Sequence, residues 1–278
     1  MSSFPSVPGY TIVRKVAEGG SAEIFKARRQ PYNTTCALKV LHARHMDDKR
    51  LIRGFETEAR LLETFDHKNI IKFHRVIPKS ERPAMELELF DSDHLKRIAG
   101  KIHRDGSTIP LNEALFILLQ VLEALEYLHK KRIVHKDMKP ENVLVNEENE
   151  VKLIDFSIAA EVKTGFFAKL FHKEPPPEGT PTYLSPEQVT GQIVDERADL
   201  YSFGVMAFEL FAGRPPLTST SRAGLVKAHV SEKPPSMKSQ AKKLPDDVAD
   251  IIDKCLKKLP AARPPAARAI IEVFQQYC

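Results

Sequence analysis

The chain has 278 residues, 42% hydrophobic and 28% charged, with a net charge of +5, which suits one large globular domain or two lobes sharing a core. No apolar run approaches the ~20 residues of a membrane span, and the longest apolar-rich segment, Leu111 to Leu128, is broken by Asn112, Glu113, Gln120, Glu123 and Glu126. The basic residues fall in scattered pairs such as Lys130-Lys131, Lys242-Lys243 and Lys257-Lys258, without an aromatic-rich basic stripe, so a nucleic-acid partner is not expected.

The N-terminal MSSFPSVPGY lacks the basic region and apolar core of a secretory signal. Three cysteines, Cys36, Cys255 and Cys278, are too few and too scattered for a disulfide framework or a zinc site. A reducing, cytoplasmic compartment is the simplest reading.

In chain order, residues 1–9 read as a disordered lead-in with two prolines. Tyr10 to Val16 alternates as a first strand. Small residues then follow from Ala17 to Ala22, with Gly19-Gly20 at the centre, and a second strand begins around Ile24. Such a turn lets backbone N–H groups approach phosphates without side-chain obstruction. Cys36 to Leu41 is a short apolar run holding one lysine, Lys39. A helix is predicted from near Lys49, with Leu51, Ile52, Phe55, Leu62 and Phe65 at helical spacing and Glu58 on it. Met85 to Asp91 alternates as a strand. Leu111, Leu115, Leu118, Leu122 and Leu125 recur at steps of three and four, the stripe of a long amphipathic helix.

That helix leads into Ile133–Ser157, IVHKDMKPENVLVNEENEVKLIDFS. Asp137, Asn142 and Asp155 in this stretch suit phosphoryl transfer. Val143-Leu144-Val145 and Val151-Lys152-Leu153-Ile154 read as two strands joined by a polar turn at Glu147-Glu148-Asn149. A hairpin there folds Asp155 back beside Asp137 and Asn142.

This stretch closely resembles the catalytic and metal-binding loops of protein kinases, H-R-D-L-x-x-x-N followed by D-F-G. Here the residues are His135-Lys136-Asp137-Met138-Lys139-Pro140-Glu141-Asn142 and Asp155-Phe156-Ser157, with Lys136 in place of Arg and Ser157 in place of Gly. Other segments extend the resemblance. The glycine loop keeps only the middle glycine of the G-x-G-x-x-G pattern, Gly19, with Ala17 and Ala22 at the outer positions. Cys36-Ala37-Leu38-Lys39 stands for V-A-I-K. Gly179-Thr180-Pro181-Thr182-Tyr183-Leu184-Ser185-Pro186-Glu187 is similar to the G-T-x-x-Y-x-A-P-E segment of Ser/Thr kinases. Asp199 stands at the aspartate of the kinase αF helix, and Arg263 at the arginine that pairs with Glu187. The phrases Ala228 to Pro235 and Leu259 to Pro264 look most like bacterial, eukaryotic-like (Hanks-type) Ser/Thr kinases.

The resemblance implies an α+β, bilobal kinase fold. A small antiparallel β-rich N-lobe (10–87) with an αC helix is joined by a hinge (88–91) to a larger, mainly helical C-lobe (92–277), behind the lead-in 1–9. It implies ATP as phosphoryl donor, with Mg²⁺ or Mn²⁺ on Asn142 and Asp155. Lys39 holds the α- and β-phosphates and pairs with Glu58. Asp137 accepts the substrate hydroxyl's proton, Lys139 stabilises the transferring group, and Thr180 contacts both. Val16, Ile24, Ala37, Leu87 and Leu144 wall the adenine site, with Leu87 as gatekeeper. The backbones of Glu88 and Phe90 bond the base, and Ala17, Glu18, Gly19 and Gly20 cover the phosphates. The partners implied are proteins bearing Ser or Thr. The position where basic-directed kinases carry an acid is His94, with Asp91 and Asp93 nearby, and no consensus follows from it.

The first alternative is a pseudokinase scaffold, favoured by the altered glycine loop, Lys136 and Ser157, but opposed by the presence of Lys39, Glu58, Asp137, Asn142 and Asp155. A small-molecule phosphotransferase of related fold is the second; it does not account for Gly179 to Glu187 or the Asp199 helix. The extent of the pattern fits either a whole small protein or a domain cut from a larger one. Between Ser157 and Gly179 the only hydroxyl residue is Thr164, and Lys136 lacks the planar fork with which arginine grips phosphate. Basal activity is therefore expected not to depend strongly on loop phosphorylation, with Thr182 the other candidate site.

Overall fold

A computed structural model describes residues 4–105, 107–162 and 179–278. The chain divides into two compact units, Met1–Asp91 with Asp155–Ser157, and Ser92–Ile154 with Ile158–Cys278.

The first unit is an antiparallel sheet with one long helix. Its strands are β1 (Tyr10–Glu18), β2 (Ala22–Arg29), β3 (Thr34–Leu41), β4 (Phe73–Val76) and β5 (Ala84–Leu87), in the order β1-β2-β3-β5-β4. Strand side chains alternate between faces, so β3 sends Leu38 and Val40 into a core with Phe25, Ala27, Cys36, Ile77 and Ala84, and turns Lys39 to the other face. Residues 4–9 of the lead-in pack against this core. Val7 is buried in that same core, Tyr10 N donates to Val7 O at 3.1 Å, and the Phe4 ring meets the Phe25 ring edge-on at 5.8 Å. Over residues 4–9 the expectation of a disordered lead-in fails, because Val7 joins the core and Phe4 packs on Phe25.

Helix α1 (Lys49–Glu63) begins at Asp48, whose carboxylate accepts from the N–H groups of Arg50 (2.9 Å) and Leu51 (3.2 Å), satisfying donors that a helix start leaves bare. It ends before Phe65, whose ring instead packs edge-on against Phe156 at 5.2 Å. The strand expected over Met85 to Asp91 stops at Leu87 and is buried throughout. Glu86 is only 2% exposed. It is matched there by Tyr10 Oη (2.6 Å), Arg75 Nε (3.1 Å) and Arg29 Nη1 (3.4 Å), because a buried carboxylate must be paired.

The second unit is mainly helical. Its elements are β6 (Asp93–His94), α2 (Leu95–Arg104), α3 (Leu111–Lys130), β7 (Ile133–Val134), β8 (Val143–Val145), β9 (Val151–Leu153) and β10 (Ala160–Glu161), followed by α4 (Pro186–Thr190), α5 (Arg197–Ala212), α6 (Arg222–Ser231), α7 (Met237–Gln240), α8 (Asp246–Cys255) and α9 (Ala267–Phe274). β8 and β9 form the antiparallel hairpin read from the sequence, with Val143 opposite Leu153, and Asn149 takes the left-handed turn conformation at φ 59°. The single leucine stripe expected of α3 is too narrow. Ala114, Ile117, Leu119, Val121 and Ala124 are buried as well, and so is Gln120. Gln120 donates to Asn149 O at 2.7 Å and accepts from Val151 N at 3.1 Å, so α3 grips the hairpin by a polar contact. α5 is buried from Ala198 to Leu210. Gly204 sits within it because an added Cβ would lie 2.6 Å from Cys255 Cβ on α8. Among the described residues no helix is long and apolar enough to cross a membrane.

α6 carries a buried titratable group, His229, whose Nδ1 lies 2.9 Å from Tyr201 Oη. Burial, and then the Lys258 ammonium, push its pKa down to about 4 from the ordinary 6.5. Between those values the unfolded chain binds a proton that the folded chain refuses. Stability therefore falls as the pH drops from about 6.5 towards 4, by at most about 3 kcal/mol. His229→Gln is expected to flatten that acid slope. Urea midpoints of both proteins from pH 7 to pH 4 check this, and parallel slopes would refute it.

Candidate active site

In the second unit, residues His135–Asn142 form a loop fixed from below by Asp199 of α5. Its wholly buried carboxylate accepts from the N–H groups of His135 and Lys136, each at 2.9 Å, and lies 2.9 Å from His129 Nε2. Lys136 is held at φ 68°, a conformation costing roughly 1–3 kcal/mol for a residue with a Cβ. Asp199 on its N–H and Gln188 Nε2 on its carbonyl (2.8 Å) offset that strain. His135 Nε2 donates to Ile154 O at 3.2 Å, and Ile154 N donates to Asn142 O at 3.0 Å. The hairpin thus returns the chain to the loop one residue before Asp155.

Asp137 is the centre of this half. Lys139 Nζ lies 2.5 Å from its Oδ2, Asn142 Nδ2 3.3 Å from the same oxygen, and Thr180 N donates to Oδ1 at 3.0 Å. Lys139 also donates to Thr180 Oγ1 at 2.8 Å. Asp137, Lys139 and Thr180 therefore stand together as the resemblance implied. Asn142 is buried and gives its Nδ2 to Asp137 O at 2.8 Å as well. Two acceptors on one side fix which way the amide turns, leaving its Oδ1 opposite.

The segment after Thr180 is braced separately. Ser185 caps α4 in a reciprocal box with Gln188. Glu187 and Arg263 form a two-pronged pair at 2.6 and 2.7 Å, both side chains out of solvent. Tyr183 Oη donates to Glu209 at 2.5 Å, and Lys96 Nζ of α2 closes on the same carboxylate at 2.5 Å. The His94 ring is tied to Glu141 O at 2.6 Å. Thr182 lies in the turn Pro181–Tyr183, whereas Thr164 is outside the described residues.

In the first unit, Lys39 Nζ lies 2.5 Å from Glu58 Oε2 and 3.8 Å from Asp155 Oδ1. Glu58 is buried on α1 and Glu56 is exposed, so the helix register turns the former inward. Burial acts to lower the Lys39 pKa, but the Glu58 and Asp155 carboxylates outweigh it and hold the amine above its ordinary value, charged. Asp155 has φ 65° and is about a third exposed, with Ser157 N 3.4 Å from its Oδ1. Glu58→Gln is expected to lower kcat at least tenfold through a poorly aimed Lys39, while the melting temperature changes little. Unchanged turnover in that variant would show that the pair plays no part in the chemistry.

Of the residues assigned to adenine, Ala37 and Leu87 are buried and face each other across β3 and β5, Ile24 is half-buried and Val16 exposed. Leu144 is half-buried on β8 of the second unit. Glu88 N donates to Lys72 O at 2.9 Å; Phe90 follows β5 outside any strand. Ala17 and Glu18 end β1, and Gly19 and Gly20 form the turn into β2.

Asp155 and Asn142 offer hard oxygen donors, which suit Mg²⁺ or Mn²⁺. Among the described residues no group of three His, Cys, Asp or Glu side chains forms a ready cage. Asp155 and Asn142 are each singly a donor of the kind that Mg²⁺ or Mn²⁺ takes alongside phosphate oxygens.

The supports that sequence reasoning missed are Gln188, His129, Gln120 and the Lys96–Glu209–Tyr183 group. Each joins residues distant in the chain, up to 113 positions apart for Lys96 and Glu209, and no local pattern announces such a pairing.

The family model of the protein kinase domain matches residues 10–274, and the chain belongs to that family. It is 31% identical over 262 residues to the probable serine/threonine-protein kinase CPE1738 of Clostridium perfringens, covering 94% of this chain and 37% of that one. It is 30% identical to the serine/threonine-protein kinase PrkC of Bacillus subtilis (91% and 38% covered) and 33% identical to the serine/threonine-protein kinase pkn3 of Myxococcus xanthus (94% and 48%). The chain thus spans less than half the length of these relatives.

Proposed function

We propose that this chain is an active Ser/Thr protein kinase, transferring the γ-phosphoryl group of ATP to Ser or Thr hydroxyls of proteins in the cytoplasm. The observation that carries this reading is the Asp137 carboxylate, held by Lys139, Asn142 and the Thr180 N–H. A carboxylate fixed from two sides is a base placed for one proton. Phosphoryl transfer asks a protein mainly for alignment and charge neutralisation. Asp137 orients the substrate hydroxyl and takes its proton as the new O–P bond forms. The bond from the γ-phosphorus to the bridging oxygen breaks, and ADP leaves. Lys139 offsets charge on the transferring group, and Lys39, aimed by Glu58, holds the α- and β-phosphates. A divalent cation on Asn142 and Asp155 supplies further neutralisation of phosphate charge. Ala37, Leu87, Val16, Ile24 and Leu144 give apolar contact to adenine, and the backbones of Glu88 and Phe90 bond its edge. The names of the relatives support Ser/Thr as acceptor. Turnover is expected without phosphate on Thr164 or Thr182.

The test is transfer of labelled γ-phosphate to a generic basic protein with Mg²⁺ or Mn²⁺, followed by mapping of the modified residues. Phosphoserine or phosphothreonine is the expected product. ATP binding without transfer to any protein, itself included, would favour a nucleotide-binding scaffold instead.

A further inference from the structure

The turn between β1 and β2 is fastened to the end of β3 by its carbonyls. His42 Nε2 donates to Gly19 O at 2.9 Å, and His42 N donates to Ser21 O at 2.9 Å. Between them, Gly20 O lies 3.1 Å from His45 Nε2 and 3.5 Å from Arg44 Nη2. Three successive carbonyls thus face the segment His42–His45. The His42 ring is 6% exposed and meets the His45 ring edge-on at 5.9 Å. Its other nitrogen lies 3.7 Å from the Glu23 carboxylate, which is shared with Arg82 at 3.2 Å. Both ring nitrogens thus have a polar neighbour, which fixes the plane of the imidazole.

A trans peptide is planar, and its C=O and N–H point in opposite directions. Pinning Gly19 O and Gly20 O toward the histidines therefore turns the N–H groups of Gly20 and Ser21 to the opposite side, next to each other. Consecutive N–H groups on one side make a concave donor site for an anion. Gly20 is exposed, and a Cβ added there would meet nothing within 4 Å, so the turn is not crowded at this residue. Loss of the outer glycines of the family pattern makes this fastening more consequential, since the turn keeps its shape by side-chain bonds.

We infer that His42, with His45 as its second contact, is a positioning residue that presets the Gly20 and Ser21 N–H groups for the phosphates of a bound nucleotide. This rests on the nucleotide-binding reading above. Neither histidine touches the ligand; both act through the carbonyls.

The experiment compares ADP with adenosine by calorimetry, in the presence of Mg²⁺, for wild type, His42→Phe, His42→Gln and His45→Ala. His42→Phe is expected to weaken ADP about tenfold, the worth of roughly one oriented hydrogen bond, and to leave adenosine unchanged. His42→Gln returns a donor near the position of Nε2 and is expected to recover most of the loss. His45 lies nearer the surface, so His45→Ala keeps the fold and decides the matter by a smaller loss of the same kind if His42→Phe does not fold. Equal weakening of both ligands, or an unchanged ratio in His42→Phe and His45→Ala, overturns the inference while leaving the kinase reading intact. Wild type that binds neither ligand overturns the kinase reading, and this inference falls with it.

Discussion

Asp137→Asn is expected to bind ATP as tightly as the wild type while kcat falls by about two to four orders of magnitude, the usual worth of a general base and its positioning. The substitution keeps the size of the side chain. Its Oδ1 can still accept from Thr180 N, so the loop from His135 to Asn142 has little reason to move. Two things change. The amide cannot take the hydroxyl proton, and its NH₂ now faces Lys139 and Asn142, both donors at 2.5 and 3.3 Å from Oδ2 in the wild type. In the proposed site ATP is held instead by Lys39 and Asp155, which this change does not touch. Single-turnover rates beside nucleotide affinities separate the two effects. A kcat within threefold of wild type would remove Asp137 from the chemistry. A matched loss of affinity and rate would make it a structural residue.

Arg263→Ala is expected to destabilise the protein by about 3–5 kcal/mol, the cost of leaving one half of a buried ion pair alone. The melting temperature should drop by roughly 10 °C for a chain of this size. The guanidinium is wholly out of solvent and the Glu187 side chain is 2% exposed. Arg263 also donates to the carbonyls of Lys257 (2.8 Å), Arg197 (2.8 Å) and Lys258 (3.0 Å), and lies over the Tyr201 ring at 4.9 Å. Its loss therefore strands a carboxylate and three carbonyls at once. Arg263→Lys should recover only part, because an ammonium cannot reproduce the two-pronged contact. The double change Arg263→Ala with Glu187→Ala should cost less than the sum of the single ones. Denaturant midpoints for the four proteins measure this. Strict additivity would show that the pair does not act as a unit.

Much of the site could be read locally because its chemistry is written in short segments. His135 to Asn142 and Asp155 to Ser157 carry their groups at fixed spacings, and the hairpin between them is set by two apolar runs and a polar turn. Glu58 followed from its place in the kinase resemblance, and it is buried on α1 beside Lys39. Periodicity did less well where an element is enclosed on more than one side. α3 buries residues beyond its leucine stripe, and β5 buries Glu86, because neighbouring strands and helices cover faces that the pattern of one segment cannot report.

The sequence alone picked out the residues proposed for phosphoryl transfer, since residue type and spacing within a loop are local properties. Tertiary structure decided what holds them. Asp199 lies 63 residues from the Lys136 N–H it accepts, and Arg263 lies 76 residues from Glu187. The buried end of Gln120 answers the turn at Asn149, and the carbonyls of the glycine turn answer His42. Asp199, Glu187, Arg263, Gln120 and His42 are buried, so each must find a partner or bear a desolvation cost of about 1–3 kcal/mol. Which partner it finds is fixed only when distant segments pack together, because a hydrogen bond is specified by distance and angle in space and not by separation along the chain.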